Sequence, residues 1–240
     1  MIPLEEIRNA GRMLDGMVIR TPLVRSPTFS RMTGAEVYLK LECLQMGGSF
    51  KVRGATYKLL KRRGEIGRGG VVAASAGNHA QGVALAAGAA GLSATIVMPV
   101  WASLGKQEAT RGYGAEVILA GDSLAESIST AKEMAKEGKA FIHPYDDPEI
   151  VTGQGTIGLE ILEDLPDPDL VVVPIGGGGL ISGIATAVKA LRPETRVVGV
   201  QAAACPSALE SLRAGERVAV EAERSIADGI SVKQVGEINF

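Results

Sequence analysis

Short apolar runs, rich in β-branched residues, recur along the chain at Val37–Leu41, Val71–Ala74, Ala94–Met98, Glu116–Leu119, Leu170–Pro174 and Arg196–Gln201. Their length and composition predict buried strands. Between them lie segments with helical spacing: Val52–Arg62, His79–Ala89, Gly105–Arg111, Ser123–Lys136, Ile150–Glu163 and Leu180–Lys189. Strand and helix in alternation predict βαβ units and a parallel sheet covered on both faces. Beyond Gln201 the pattern weakens to a helix at Ser207–Leu212, a polar stretch, and Ile226–Phe240 with little periodicity. No repeat, low-complexity tract or obvious linker interrupts the chain.

From Gly69 to Gly105 there is no Lys, Arg, Asp or Glu, a stretch long enough to raise the question of a membrane span. Asn78, His79, Gln81, Pro99 and several glycines break it, so a buried strand–helix–strand unit is the better reading. The first fifteen residues mix apolar and charged positions without a secretory core. With 240 residues, 46% of them hydrophobic and 22% charged, the composition is that of a globular protein able to bury a sizeable core. A formal charge of −2 offers no footprint for nucleic acid or an anionic membrane. The basic cluster Lys61, Arg62, Arg63 falls at a predicted helix end, where cations complement the dipole. Two cysteines, Cys43 and Cys205, imply no disulfide framework and suit a reducing, cytoplasmic setting.

Three motifs carry candidate chemistry. Gly176-Gly177-Gly178-Gly179 follows a strand and opens a helix. Four glycines cost backbone entropy, so their conformations must be needed. Bare N–H groups at a helix N-terminus suit an anion, above all a phosphate, although a tight packing turn explains the same residues. The nucleotide fingerprints fail here. Ser182 stands where a dinucleotide loop needs Gly, and Gly183 precedes Ile184-Ala185 where a P-loop needs Lys and Ser or Thr. The second motif is Ser49-Phe50-Lys51-Val52-Arg53-Gly54-Ala55. A lysine beside Phe is ordinarily a snorkelling surface residue. Here Gly47-Gly48-Ser49 predicts a turn with Ser49 as N-cap, which places Lys51 in the first helical turn. Nearby N–H groups and partial burial there disfavour the ammonium, and a neutral lysine is what Schiff-base chemistry requires. The third motif is Ser75-Ala76-Gly77-Asn78-His79, again between strand and helix, where small residues let a loop wrap an anion. Ala73 excludes a hydrolase elbow, and His79 with His143 as the only histidines makes a zinc site unexpected.

Together these motifs resemble the fold-type II pyridoxal-phosphate enzymes. The stretches around Tyr113–Val117, Phe141–Asp147, Gly153–Glu160 and Ile226–Ile230 resemble the threonine/serine dehydratase branch in particular. The resemblance implies that Lys51 holds pyridoxal 5'-phosphate as a Schiff base and then serves as the base at Cα. It implies that Phe50 packs beside the pyridine ring, that Asn78 meets the ring's 3-hydroxyl oxygen, and that Gly176, Gly177, Gly178, Gly179 and Leu180 bind the phosphate. Ser75, Gly77, Asn78 and His79 would line the substrate carboxylate pocket. The implied reaction converts L-threonine or L-serine to a 2-oxo acid and ammonia. The implied fold is α/β with two doubly wound parallel-sheet domains of the tryptophan synthase β type. Residues 1–63 with 151–240 would form the larger and 64–150 the smaller, with the cofactor between them. A homo-oligomer, dimer or tetramer, is implied as well, with a small amino-acid substrate and neither nucleic acid nor membrane as partner.

The departures are specific. Cys43 and Gly47 stand where the family usually has Asn and Thr. Ala76 stands where serine racemases place a second Ser that works on the opposite ring face, which favours dehydration. Gln201 and Ser207 replace carboxylates that hold a divalent cation in racemases and some dehydratases, so no metal is expected. The family also continues beyond the position of Phe240, and the expectation is a C-terminally truncated member. A serine racemase or a β-replacement enzyme of the same fold, or a catalytically degenerate cofactor-binding protein, are the other readings.

Overall fold

The most apolar strands lie where helices can cover both of their faces. The computed structural model describes residues 2–240. Its helices are α1 (Leu4–Leu14), α2 (Pro27–Thr33), α3 (Lys51–Lys61), α4 (Asn78–Ala90), α5 (Leu104–Gly112), α6 (Leu124–Lys136), α7 (Pro148–Asp164), α8 (Gly179–Leu191) and α9 (Ser207–Ala214). Its strands are β1 (Leu23–Arg25), β2 (Tyr38–Lys40), β3 (Val71–Ala74), β4 (Ala94–Met98), β5 (Glu116–Leu119), β6 (Ala140–Phe141), β7 (Leu170–Pro174) and β8 (Arg196–Val200). A parallel sheet runs in the order β5-β4-β3-β6. Strands β3 and β4 are buried along their whole length. Successive side chains point to opposite faces. Val71, Ala73, Ile96 and Met98 join Val83, Ala84 and Ala87 of α4 in one cluster. Val72, Ala74 and Val97 meet Ala131 of α6 in another. That is why the uncharged stretch from Gly69 to Gly105 is interior β-α-β and not a span; no described helix is long and apolar enough to cross a membrane.

The second parallel sheet consists of β7 and β8 alone among the described residues. Val171 and Val173 pack with Ile157 and Ile161 of α7 and Ile184 and Val188 of α8. Leu170 and Val172, on the other face, are 46% and 57% exposed. The expected two-sided cover is therefore present on the first sheet and one-sided on the second. An antiparallel pair, β1 with β2, adds a feature the alternating pattern does not predict. Strand β6 and helices α1 and α2 also go beyond the expected elements. In α1 the inward residues Ile7, Ala10 and Leu14 follow a 3–4 spacing, diluted by charges on the other side. Helix α2 buries nothing and rests on its ends: Ser26 Oγ accepts the Phe29 N–H, and Gly34 closes the helix at φ 73°.

Helix α7 lies at the centre of the helical layer, against α1, α3 and α8. Its glycines let backbones touch. A Cβ on Gly153 would lie 2.6 Å from Gly54 Cα, and one on Gly183 would lie 2.4 Å from the Val151 carbonyl oxygen. Charge locks the same layer. Arg53, with no exposed surface, donates from Nε to Glu42 Oε2 at 2.9 Å and from Nη2 to Glu42 Oε1 at 2.8 Å. It also reaches Glu160 Oε1 from Nη1 at 2.5 Å and Oε2 from Nη2 at 3.0 Å. Lys40 Nζ joins Glu160 at 2.6 Å. A guanidinium between two carboxylates fixes the start of α3 to α7 and to the turn after β2.

Arg53→Met should leave Glu42 and Glu160 enclosed with too little positive charge, and cost about 3–5 kcal/mol in urea unfolding. A loss below about 1 kcal/mol would mean that water solvates these carboxylates.

Candidate active site

Lys51 is the first residue of α3. The chain reaches it through a turn at Met46–Gly48 in which Gly47 and Gly48 both take φ near 70°. The expected Ser49 cap is corrected: Phe50 occupies the cap position without a side-chain cap bond, and Ser49 Oγ lies 3.5 Å from the Lys51 nitrogen, at the outer limit of a hydrogen bond. The Lys51 residue keeps some exposed surface, but its amine is enclosed. Nζ donates to the Pro144 carbonyl oxygen at 2.8 Å and lies 5.2 Å from the centre of the Phe50 ring. Among the described residues no carboxylate comes within ion-pair distance of it. Burial therefore prevails and brings the amine down to about 8. At neutral pH that gives roughly a hundredfold or more neutral amine than an ordinary lysine has.

The acceptor for Lys51 lies in a segment, Ile142 to Asp147, that touches every other motif. Ile142 extends β6, with its N–H on the Val72 carbonyl at 2.9 Å. Its own carbonyl meets His79 Nε2 at 3.0 Å. His143 Nδ1 accepts the N–H groups of Tyr145 at 3.3 Å and Asp146 at 2.8 Å. The Tyr145 ring stacks edge-on against the His143 ring, 4.9 Å between centres, and lies against Gly177. Asp147 caps α7 through the N–H groups of Glu149 and Ile150 and pairs with Lys58 of α3. A turn bonded at both ends and in its middle holds the Pro144 carbonyl on Lys51.

The loop from Ser75 to His79 starts at the end of β3. Ser75 Oγ accepts the Gly77 N–H at 3.0 Å, which tightens the turn into α4. The Asn78 side chain is exposed and meets no protein partner among the described residues, so its amide is free for a ligand. His79 differs from the expectation. Its ring is 4% exposed and committed to the Ile142 carbonyl, which assigns the proton to Nε2. Burial, with the nearby Lys51 charge, takes the imidazole down to about 3. What His79 can offer an anion here is its backbone N–H in the first turn of α4.

At the end of β7 the glycines Gly176 to Gly179 turn into α8. Among the described residues the N–H groups of Gly176, Gly177, Gly178, Gly179 and Leu180 find no acceptor; the first paired one is Ser182, on the Gly178 carbonyl at 3.0 Å. Packing demands glycine as well. Gly178 takes φ 96°, a Cβ on Gly177 would lie 2.3 Å from the Tyr145 ring, and one on Gly179 would lie 2.8 Å from the Tyr145 carbonyl oxygen. The anion reading and the packing reading both apply to the same residues. A bulky replacement of Gly177 would damage both and separate neither. The Asn239 amide nitrogen donates to the carbonyls of Tyr145 and Gly177, each at 3.0 Å, while its Oδ1 is buried without a partner.

Lys51 thus meets the loop after β6, which in turn touches the loops after β3 and β7. Carboxyl ends of parallel strands are where α/β proteins assemble sites. Phe50, Ser75, Gly77 and Leu180, in or beside these segments, are partly exposed. Sequence reading quoted Phe141–Asp147 only as a family-like stretch and gave His143, Pro144 and Tyr145 no role in the site, and it did not single out Asn239. A carbonyl contact has no residue signature, but a His-Pro-Tyr-Asp run directly after a strand was a visible signal. Among the described residues no His, Cys, Asp and Glu cluster has metal-site geometry. Gln201 instead caps α9 through the N–H groups of Ala208 and Leu209, at 2.8 and 3.2 Å.

The unpaired N–H row at a helix N-terminus, a free amide and an enclosed amine near pH 8 form a donor set for a phosphorylated carbonyl compound. Both histidines are held neutral: burial takes His143 down to about 4. Unfolded histidine binds protons from about 6.5, so stability should fall as pH drops below 6.5 toward 4. Each group contributes at most about 1.4 kcal/mol per pH unit. Urea unfolding at pH 7.5, 5.5 and 4.5 should show that slope, reduced in His79→Gln, whose amide can still donate to Ile142. An unchanged slope would show that His79 does not titrate on unfolding.

Comparison with known proteins agrees with this donor set. Residues 14–240 match the family described as pyridoxal-phosphate dependent enzyme. The chain is 53% identical over 241 residues to an L-threonine ammonia-lyase of Thermotoga maritima. It is 45% identical over 240 residues to the catabolic L-threonine dehydratase of Escherichia coli. All of the chain is aligned in each case, covering 60% of the first relative and 73% of the second. The chain therefore spans about 60% of the Thermotoga relative's length. Among solved structures it superposes on maize serine racemase with TM-score 0.95 and 36% identity, over 99% of this chain and 72% of that one. It superposes on the processed form of threonine deaminase isoform 2 from Solanum lycopersicum with TM-score 0.91 and 39% identity, over 98% of this chain and 65% of that one. A lysine, an amide loop and a glycine loop placed together on this fold have one family in common, and the chain belongs to the pyridoxal-phosphate dependent enzymes.

Proposed function

We propose that the protein is a pyridoxal-phosphate-dependent threonine/serine dehydratase. It would convert L-threonine to 2-oxobutanoate and ammonia, and L-serine to pyruvate and ammonia. The observation that carries this reading is the enclosed Lys51 amine, bonded to Pro144 and beside a glycine loop with a row of unpaired N–H groups. The named relatives at 45–53% identity support the reaction class. In this reading residues 1–63 with 151–240 form one domain and 64–150 the other, and the ligand lies in the crevice between them. A homo-oligomer, cytoplasmic location and a place in amino-acid metabolism on the side of isoleucine biosynthesis belong to the same reading.

When bound, the cofactor supplies an electron sink for the negative charge left at Cα. The protein's own groups do the rest. Lys51 would hold the cofactor through its amine, and that amine, once free, would take the Cα proton. The N–H groups of Gly176 to Gly179 and Leu180 would hold the phosphate at the positive end of α8. Asn78 would offer its amide to the ring oxygen, and Phe50 would pack beside the ring. Ser75, Gly77, Asn78 and the backbone of His79 hold the substrate carboxylate. Ala76 has only a methyl where serine racemases carry a Ser, so it could not return a proton to the far face, and the β-hydroxyl would leave as water with the proton that Lys51 had taken.

The 240-residue chain supplied with pyridoxal phosphate should release 2-oxo acid from L-threonine and L-serine, and Lys51→Ala should abolish release. Absence of turnover in a folded, cofactor-bound chain would favour the degenerate reading. A requirement for an activated serine ester and a sulfur nucleophile would favour β-replacement. Chiral chromatography of residual serine after partial turnover should show little D-serine, and Ala76→Ser should raise it. Substantial D-serine from the unaltered chain would replace the dehydratase reading with a racemase.

A further inference from the structure

We propose that His143 is a positioning residue for Lys51: by accepting two backbone N–H groups at Nδ1, it holds the turn that presents the Pro144 carbonyl to the lysine amine. This deepens the role given to Lys51 and rests on that reading. The Lys51 amine has one hydrogen-bond partner, the Pro144 oxygen at 2.8 Å. A proline carbonyl is set only by the backbone around it, since Pro144 has no N–H to anchor it. On its amino side lies His143, and on its carboxyl side are the two N–H groups, of Tyr145 and Asp146, that point back to His143 Nδ1 at 3.3 and 2.8 Å. The imidazole closes a ring of atoms around Pro144.

Two further contacts show what the turn carries. The same turn lays the Tyr145 ring on Gly177 and the Tyr145 carbonyl near Gly179. Asp146 Oδ1 accepts the Ile238 N–H at 2.9 Å, which ties in the chain end that also bonds the Gly177 carbonyl. One side chain therefore sets both the direction of the lysine amine and the wall of the glycine loop. An acceptor at Nδ1 must be unprotonated, so the imidazole works as a neutral group with its proton on Nε2. The charged groups around it are Lys51, Lys132 on α6, and Asp146 and Asp147 on its own segment. None is within hydrogen-bond distance of the ring nitrogens, so the backbone donors are what the ring recognises.

His143→Asn keeps an acceptor two bonds from Cβ, at the place of Nδ1, while His143→Ala removes it. Competitive acetylation with acetic anhydride, followed by peptide mapping, reads the reactivity of Lys51 against the surface lysines of the same sample across pH 6 to 11. It is done on the cofactor-free full chain and needs neither turnover nor pyridoxal phosphate, so its failure is distinct from failure of the dehydratase reading. The native chain should show a Lys51 midpoint near 8. His143→Ala should let the turn open and admit water to the amine, which relieves the burial that holds it down, moves the midpoint upward and lowers labelling at pH 8 by about fivefold. His143→Asn should restore the native profile. If Ala proves too unstable to fold, His143→Leu, which fills the space of the ring without an acceptor, takes its place and should show the same upward shift. A native profile in folded His143→Ala, or an Asn profile shifted like that of Ala, overturns the proposal.

Discussion

An amine without a carboxylate partner, enclosed by protein and bonded to a single carbonyl, is the constraint that organises this molecule. Burying an ammonium costs free energy unless a counter-charge offsets it, and Lys51 has no carboxylate within reach. The fold meets that constraint with position instead of charge. Arg53, two residues on, takes the carboxylates Glu42 and Glu160 for itself and pins α3 by its first turn. Lys58 takes Asp147 in the same way. These acids are engaged elsewhere, and burial, with no carboxylate paired to the amine, brings Lys51 down to about 8.

From that point the rest of the site follows as geometry. The loops after β3 and β6, neighbours in one parallel sheet, meet the loop after β7 of the other sheet, and the loop after β6 touches both of the others. Its contacts are short and mostly to backbone: Ile142 to His79, Pro144 to Lys51, Tyr145 to Gly177. Backbone contacts leave little room to slide. A row of unpaired N–H groups and an amine that gives up its proton more readily than an ordinary lysine are then linked through one turn before any ligand arrives, which is the preorganisation that catalysis by positioning requires.

Much of this was legible in the sequence, and for identifiable reasons. Strands β3, β4, β5 and β7 have the bounds their apolar runs predict; β3 and β4 are interior and hydrophobic on both faces, while β5 and β7 are apolar runs although each is partly exposed. The glycine run after β7 is legible because four glycines cost backbone entropy that something must require, although the run alone does not separate a phosphate loop from a packing turn. Helix α1 was hidden by charges on its outer face, and β1 and β6 are too short to show a period. In the site, Lys51 and the loops were visible as motifs. The carbonyl of Pro144 was not, since a main-chain acceptor exists at every residue and only the fold selects one. His79 was legible as part of a loop but not in its orientation, which depends on Ile142, sixty-three residues away.

The central claim is that Lys51, and no other lysine, is the group that reacts with the cofactor's aldehyde. Borohydride reduction of the chain incubated with pyridoxal phosphate, followed by peptide mapping, tests it most directly. The pyridoxyl group should be found on the peptide that contains Ser49-Phe50-Lys51. Finding it on Lys40 or Lys58 instead, or spread over surface lysines, would contradict the placement of the site.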